Sequence, residues 1–276
     1  MVIFIELKDN DRIRFFSLIK KNINSSWEVF YPQFNISRTM FFNYLSGRYN
    51  IPKEIFLKLE KIADTKIENY EEKYQNKYME KKIIPPKMNS FLSEIFGILN
   101  GDGHLDFKNN EICVVGSFLE KDYFNYIKKL FENSFNLKFK IIQQNTKLKL
   151  RVYSKRLSKL LNEKYNIPKG NKIGKLRISK QVYSSKKWLA SYIKGLFDTD
   201  GTFYIRRKNE PVIEISSADR VYLKEICNAL ISLGFSAKNY KKHVSLYQKE
   251  DIVRFFKTIK PANSKHLKKF ENYSNL

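Results

Sequence analysis

Residues Phe91–Leu105 read FLSEIFGILNGDGHL, and residues Trp188–Phe203 read WLASYIKGLFDTDGTF. Each is an apolar run of helical length closing on Asp-Gly, at Asp102-Gly103 and Asp200-Gly201, with the aspartates 98 residues apart. Phe91, Leu92, Ile95, Phe96, Ile98 and Leu99 make the first run apolar nearly all round, which predicts a buried helix. Gly97 and Gly101 stand four apart, so one face of that helix carries no side chains. Gly195 and Thr199 keep the same spacing in the second run. Small residues four apart let two helix backbones approach closely. The two helices are therefore expected to pack against each other on a pseudo-two-fold axis.

The similarity extends outward from both runs. Each is followed by a hairpin (His104–Gly116, turning at Lys108–Asn110; Thr202–Ser217, turning at Lys208–Pro211) and then an amphipathic helix (Lys121–Phe135; Ala218–Leu233). A second hairpin (Phe139–Tyr153; Ser236–Tyr247) and a further helix (Lys155–Tyr165; Lys249–Ile259) come next. Each copy ends in Pro-x-x-x-Lys, at Pro168–Lys172 and Pro261–Lys265, 70 and 65 residues after its aspartate. An ααβ-rich unit occurring twice predicts an α+β, pseudo-two-fold domain over 86–276, with repeats at 86–180 and 181–276 and two antiparallel sheets.

The aspartates give that domain its chemistry. Gly103 and Gly201 are placed to take left-handed helix caps. A carboxylate at a helix C-terminus faces the negative end of the dipole, at a cost of about 0.3–1 kcal/mol. Two brought together on one axis also repel. A cation is expected between them, and carboxylates with main-chain carbonyls suit a hard divalent ion such as Mg²⁺ or Mn²⁺. Asp-Gly after a helix is common turn chemistry when it stands alone. Two copies behind the same glycine-bearing helix point instead to paired metal carboxylates, an arrangement suited to phosphodiester hydrolysis.

The nonamers IFGILNGDG (Ile95–Gly103) and IKGLFDTDG (Ile193–Gly201) resemble the paired LAGLIDADG motifs of homing endonucleases, and the resemblance covers 86–276. It implies saddle-shaped sheets and metal ligation by Asp102 and Asp200, with the carbonyls of Gly101 and Thr199 as added ligands. The earlier acidic position of the motif, Asp198 in one copy and Asn100 in the other, would be structural. The segment Asn166–Lys172 resembles the lysine-bearing segment of intein-type members, which makes Lys172 and Lys265 catalytic candidates; Gln143 and Gln144 are unranked polar helpers. The resemblance also implies that each aspartate directs hydrolysis of one strand across the minor groove, leaving short 3′ overhangs.

Charge agrees with a polyanionic partner. The 276 residues carry 52 Lys+Arg against 28 Asp+Glu, a net +24. Residues 1–85 hold a net +4 and residues 86–276 a net +20. Double-stranded DNA is the default partner for such a field. In Lys147–Tyr153 the residues Lys147, Lys149, Arg151 and Tyr153 alternate with Leu148, Leu150 and Val152, the pattern of a half-buried strand with a basic face. Lys138 and Lys140 extend that face. In the second copy Tyr204, Arg206 and Lys208, then Lys238, Tyr240 and Lys242, are its counterparts.

A boundary is expected near Lys81–Lys87, where a charged, helical-looking stretch (Glu68–Lys82) meets Pro85-Pro86. Residues 1–85 then form a small all-α module with helices at Asp11–Lys21, Ser26–Phe34, Ser37–Leu45 and Pro52–Ala63. The stretch Ser37–Gly47 looks like a helix-turn-helix, with Arg38, Thr39 and Asn43 on its recognition helix. Two cysteines, Cys113 and Cys227, form no disulfide framework, and no apolar run is long enough for a membrane. The leading expectation is a monomeric, intracellular DNA endonuclease without a membrane partner. A non-cleaving DNA-binding regulator and an RNA maturase acting on intron RNA are the alternatives.

Overall fold

The computed structural model describes residues 2–74, 86–206 and 210–274. The chain divides into two compact units, Met1–Lys82 and Ile83–Leu276.

The first unit runs β1 (Phe4–Leu7), α1 (Asp9–Asn22), α2 (Trp27–Phe30), a 3₁₀ turn (Tyr31–Phe34), α3 (Arg38–Leu45), β2 (Ile51–Pro52), α4 (Lys53–Ala63) and β3 (Tyr70–Lys73). Ser26 and Ser37 cap α2 and α3 by accepting from the Val29 and Met40 amides. Phe15, Phe16, Ile19, Phe41, Phe56 and Leu59 form its core. The unit is not all-α. An antiparallel sheet in the order β2-β1-β3 closes it, and Ile5 and Leu7 turn alternate side chains into the core. Strands of two and four residues are too short to show a period. Part of the charged stretch read as a helix, Tyr70–Lys73, is β3, drawn into place by pairing with β1. Residues 75–85, which hold positions 75–82 of that stretch and most of the expected boundary, lie outside the described residues.

The second unit opens with α5 (Ser90–Asn100), then β4 (Gly103–Leu105), β5 (Glu111–Ser117), a 3₁₀ turn (Phe118–Glu120), α6 (Lys121–Phe135), β6 (Lys140–Gln144), β7 (Lys147–Tyr153) and α7 (Lys155–Glu163). The order then recurs as α8 (Lys186–Asp200), β8 (Gly201–Arg206), β9 (Glu210–Ser216), α9 (Arg220–Ser232), β10 (Lys238–Asn239), β11 (His243–Leu246) and α10 (Lys249–Ile259). The two antiparallel sheets run β4-β5-β7-β6 and β8-β9-β11-β10, the same order twice. This is the α+β, two-repeat architecture expected. A final helix, α11 (Ser264–Ser274), has no counterpart in the first repeat; its Phe270 stacks on Phe256 at 3.9 Å and meets Phe203 at 5.9 Å.

The helix pair α5 and α8 lies at the centre. A Cβ built on Gly97 would sit 2.1 Å from the Tyr192 carbonyl oxygen, and one on Gly195 would sit 2.1 Å from that of Glu94. The two backbones therefore touch, with no side chain between them. Around this contact Leu92, Ile95, Leu99, Tyr192, Ile193 and Leu196 are fully buried.

Candidate active site

The helix pair ends where the site begins. A Cβ on Gly101 would meet Thr199 Oγ1 at 2.0 Å and lie 3.4 Å from Asp200 Cγ, so the two C-termini abut. Thr199 is buried and turns its hydroxyl back to the Gly195 and Leu196 carbonyls at 3.1 and 2.9 Å. The two ends are not identical. Asp200 is the last residue of α8, whereas α5 stops at Asn100 and Asp102 lies in the following turn, its carbonyl taking the Val115 amide at 3.3 Å. Gly103 and Gly201 do not adopt the left-handed caps expected of them: Gly201 has φ −86°, and Gly103 is not among the residues of positive φ. Crowding is what requires glycine there. A Cβ would lie 2.4 Å from Leu99 Cα at Gly103, and 2.4 Å from the Phe197 carbonyl oxygen at Gly201.

Both sequence-chosen lysines come to this region, and they are held differently. The Lys172 ammonium donates to the carbonyls of Asn100 (3.0 Å), Gly103 (2.9 Å), Leu99 (3.3 Å) and Gly101. It thus caps the negative end of α5. Burial lowers its pKa, against the pull of Asp200 and Asp102. Lys265 instead donates to Glu120 Oε1 at 2.9 Å. Glu120 and its neighbour Asn263, whose Nδ2 reaches the same oxygen at 2.7 Å, were not singled out from the sequence. The signal was present: Ser117-x-x-Glu120 before an amphipathic helix is a capping box, and both of its hydrogen bonds form.

Asp198 and Asn100, the earlier motif positions, are fastened into the scaffold. The Asp198 carboxylate accepts the Ala262 amide (2.9 Å) and the Asn263 amide (3.0 Å), which anchors the chain entering α11. Asn100 Nδ2 donates to Tyr192 Oη at 2.7 Å and to the Arg177 carbonyl at 3.2 Å.

Electrostatics follow from the crowding. The Asp200 carboxyl is pushed up to about 6, first by burial and then by the Asp102 charge, against Lys172 and Lys265. Burial also raises Asp102, with Glu120 adding to it and Lys265 and Lys172 opposing. Asp198 is raised to about 7 by burial, despite its two amide donors. These values stand above that of an unfolded aspartate, so at these carboxyls the folded chain holds more protons than the unfolded one between about pH 4 and pH 7, whereas buried His266, lowered to about 3, holds fewer up to about pH 6.5. The carboxyls alone make stability fall as pH rises through that window, and His266 opposes them below about pH 6.5. In metal-free buffer, between about pH 5 and about pH 7.5, the melting temperature of Asp200→Asn is expected to lose less with rising pH than that of the unmodified protein. Parallel curves for the two proteins would contradict the raised Asp200 carboxyl.

The donor set fits a hard cation. Two carboxylates repel across touching helix ends, and main-chain carbonyls are the other oxygens on offer. Among the described residues no group of three His, Cys, Asp or Glu is assembled around a metal position. For the Gly101 carbonyl to serve as a ligand, Lys172 has to release it.

A cleft of about 760 Å³ opens beside Asp200, lined in part by Gly101, Lys172, Asp219, Arg220, Lys241 and Lys242. Lys147, Lys149, Arg151 and Tyr153 alternate with the buried Leu148 and Leu150. Lys140 pairs with Arg151 in register, while Lys138 is exposed just before β6. On the second sheet Tyr204 and Arg206 share a face with Lys238, reached through Glu214 and Ser245; Tyr240 and Lys242 are exposed near its edge, and Lys208 lies outside the described residues. Each face also carries a carboxylate that the sequence reading passed over. Glu111 takes Lys149 at 2.8 Å, and Glu214 accepts from the Tyr204 hydroxyl at 2.9 Å. Gln143 and Gln144 are exposed in β6. In the first unit Arg38 donates to Glu28 at 2.7 Å, Thr39 is exposed and Asn43 is half-buried.

A family model described as a LAGLIDADG-like domain matches residues 187–260, and one described as a WhiA LAGLIDADG-like domain matches residues 95–163. The chain belongs to the LAGLIDADG family. The two matches fall one in each repeat. A relative, an uncharacterized protein of Methanocaldococcus jannaschii, is 26% identical over 171 residues, 57% of this chain and 59% of that protein. The chain therefore spans less than two thirds of that relative's length. Among solved structures, the homing endonuclease I-DmoI in complex with DNA and Mn aligns with TM-score 0.47 and 20% identity over 62% of this chain and 96% of that one. The N-terminal LAGLIDADG domain of DUF199/WhiA aligns with TM-score 0.44 and 15% identity over 64% and 84%. Among the described residues no helix is long and apolar enough to cross a membrane.

Proposed function

We propose that this protein is a site-specific, divalent-metal-dependent double-strand DNA endonuclease that acts as a monomer. The observation that carries the reading is the meeting of Asp102 and Asp200 at the ends of two helices whose backbones touch, close enough for one charge to raise the other's pKa. Two buried carboxylates that accept no side-chain hydrogen bond among the described residues, offset only by the charges of Lys172 and Lys265, make sense where a cation and a phosphate come and go. Mg²⁺ or Mn²⁺ held by Asp102, Asp200 and the carbonyls of Gly101 and Thr199 would activate water and stabilise charge on the phosphate.

The chain's own groups do the rest. Lys265, fixed by Glu120 yet partly open to solvent, is placed to offer its ammonium to the scissile phosphate. Lys172 holds the α5 carbonyls in place and, once released, offers a second ammonium beside Asp200. The basic sheet faces grip the duplex through phosphates and read base edges in the major groove. The domain from 86 on, built of repeats 86–180 and 181–276, would thus position one aspartate for each strand, and the module before it would add DNA contacts through α3.

The test is cleavage of plasmids carrying the DNA that flanks the gene, in Mg²⁺. A linear product is expected, and its absence in both Mg²⁺ and Mn²⁺ counts against the reading. Affinity is expected to fall by about 10³-fold or more between 50 and 200 mM salt, because phosphate contacts release counterions. One rival is favoured by a specific observation: the WhiA-type match over residues 95–163 fits a DNA-binding regulator that does not cut. Salt-sensitive binding to the same DNA, without cleavage in either metal, would select it.

A further inference from the structure

The two candidate cutting centres hold their lysines by different chemistry. Glu120 leaves the end of β5 in a rigid turn. Its Oε2 accepts the Ser117 amide at 2.9 Å, while the Ser117 hydroxyl accepts the Leu119 amide at 3.2 Å. That leaves Oε1 facing the other repeat, where it receives Lys265 Nζ at 2.9 Å and Asn263 Nδ2 at 2.7 Å. Asn263 is fully buried, and its Nδ2 is also bound to the Asp198 carbonyl at 3.0 Å. Glu120 is thus locked from both sides, with 13% of its side chain exposed against 38% for Lys265. A lysine stem carries much rotamer entropy, and a fixed carboxylate removes it from one end.

The quasi-equivalent position in the second repeat is Asp219, which stands two residues after Ser217 where Glu120 stands three after Ser117, and which also leads into a helix. Its Oδ1 caps α9 through the Val221 and Tyr222 amides, both at 3.1 Å. Its Oδ2 stands 3.6 Å from Arg177 and makes no hydrogen bond among the described residues. Among the described residues no lysine is clamped there. On that side the lysine near Asp200 is Lys172, fastened to carbonyls of α5.

We infer that Glu120 of the first repeat is the positioning residue for Lys265 of the second, so that one cutting centre is completed across the repeat boundary and the two centres are unequal. This rests on the nuclease reading above. A carboxylate that acts only by holding a lysine affects the strand that lysine serves, and it has nothing to hold once the lysine is gone. Those two properties separate positioning from general support of the fold.

The experiment uses the full-length protein, Mg²⁺ and a duplex carrying the flanking DNA, with each strand labelled separately. Single-turnover rates are measured for the unmodified protein, Glu120→Gln, Glu120→Asp, Lys265→Met and the double variant Glu120→Gln/Lys265→Met. Glu120→Gln is expected to slow one strand by about tenfold and the other by less than about twofold. Lys265→Met is expected to slow the same strand, and the double variant to be no slower than Lys265→Met alone. Glu120→Asp keeps the charge while withdrawing it by one methylene, so it supplies the same strand test with a smaller effect if Glu120→Gln does not fold. Equal slowing of both strands, or effects that multiply in the double variant, would overturn the positioning role while leaving the nuclease intact. An unmodified protein that cuts neither strand overturns the nuclease reading, and this inference with it.

Discussion

Asp102→Asn is expected to lower strand cleavage by about a thousandfold while changing affinity for duplex DNA by less than about threefold. The substitution is nearly isosteric, and Asp102 lies in a turn held by its own carbonyl and the Val115 amide, which the change leaves alone. What it removes is one of two charges able to hold a divalent ion. The basic sheet faces stay as they are, so phosphate contacts persist and the salt dependence of binding is kept. Gel-shift titration in Ca²⁺ with cleavage assays in Mg²⁺ separates the two effects. Asp198→Asn makes a sharp control: it touches the amides of Ala262 and Asn263 and is expected to act on stability first. Normal cutting of both strands by Asp102→Asn would remove the assignment.

The largest effect on stability is expected at the helix contact. Gly195→Ala adds one methyl group 2.1 Å from the Glu94 carbonyl oxygen and 3.0 Å from the Ile98 nitrogen, both main chain. Neither can swing aside. Alanine gains about 1 kcal/mol over glycine in an unconstrained helix, but separating two packed backbones in a dense core costs more, about 3 kcal/mol and upward. Gly195→Val, with two further methyl groups to place, is expected to leave the second unit unfolded, given total stabilities of about 5–15 kcal/mol. Urea unfolding followed by circular dichroism measures both variants. An alanine variant at least as stable as the original would mean that the helices stand further apart than described.

Much of this was legible because it repeats. One Asp-Gly is a turn, whereas two behind matching glycine-bearing helices, followed by matching hairpins, specify a paired architecture; the helices and hairpins of the second unit fall close to their expected spans. Periodicity also sorted Leu148 and Leu150 inward from Lys147 and Lys149. The rest was lost where the determining contact is distant in sequence or too short to have a period. The first unit's sheet rests on strands of two and four residues, and Tyr70–Lys73 becomes a strand only through pairing with Phe4–Leu7. Gly103 and Gly201 looked like caps because spacing cannot reveal that Leu99 and Phe197 crowd them. Lys172 and Lys265 looked alike by their place in each repeat, yet one meets helix carbonyls and the other a carboxylate 145 residues earlier in the chain. The capping box containing Glu120 could be read locally; its second role could not.

Because glycine leaves bare main chain at the crossing of α5 and α8, the gap between the two aspartate-bearing ends is set by the thickness of peptide backbone. Rotamer changes cannot widen or narrow it. On the nuclease reading, substitutions across the sheets are free to change which DNA is gripped, while the offset between the two nicks stays constant through that drift. A lineage of such proteins could alter its targets extensively and still leave ends of one length.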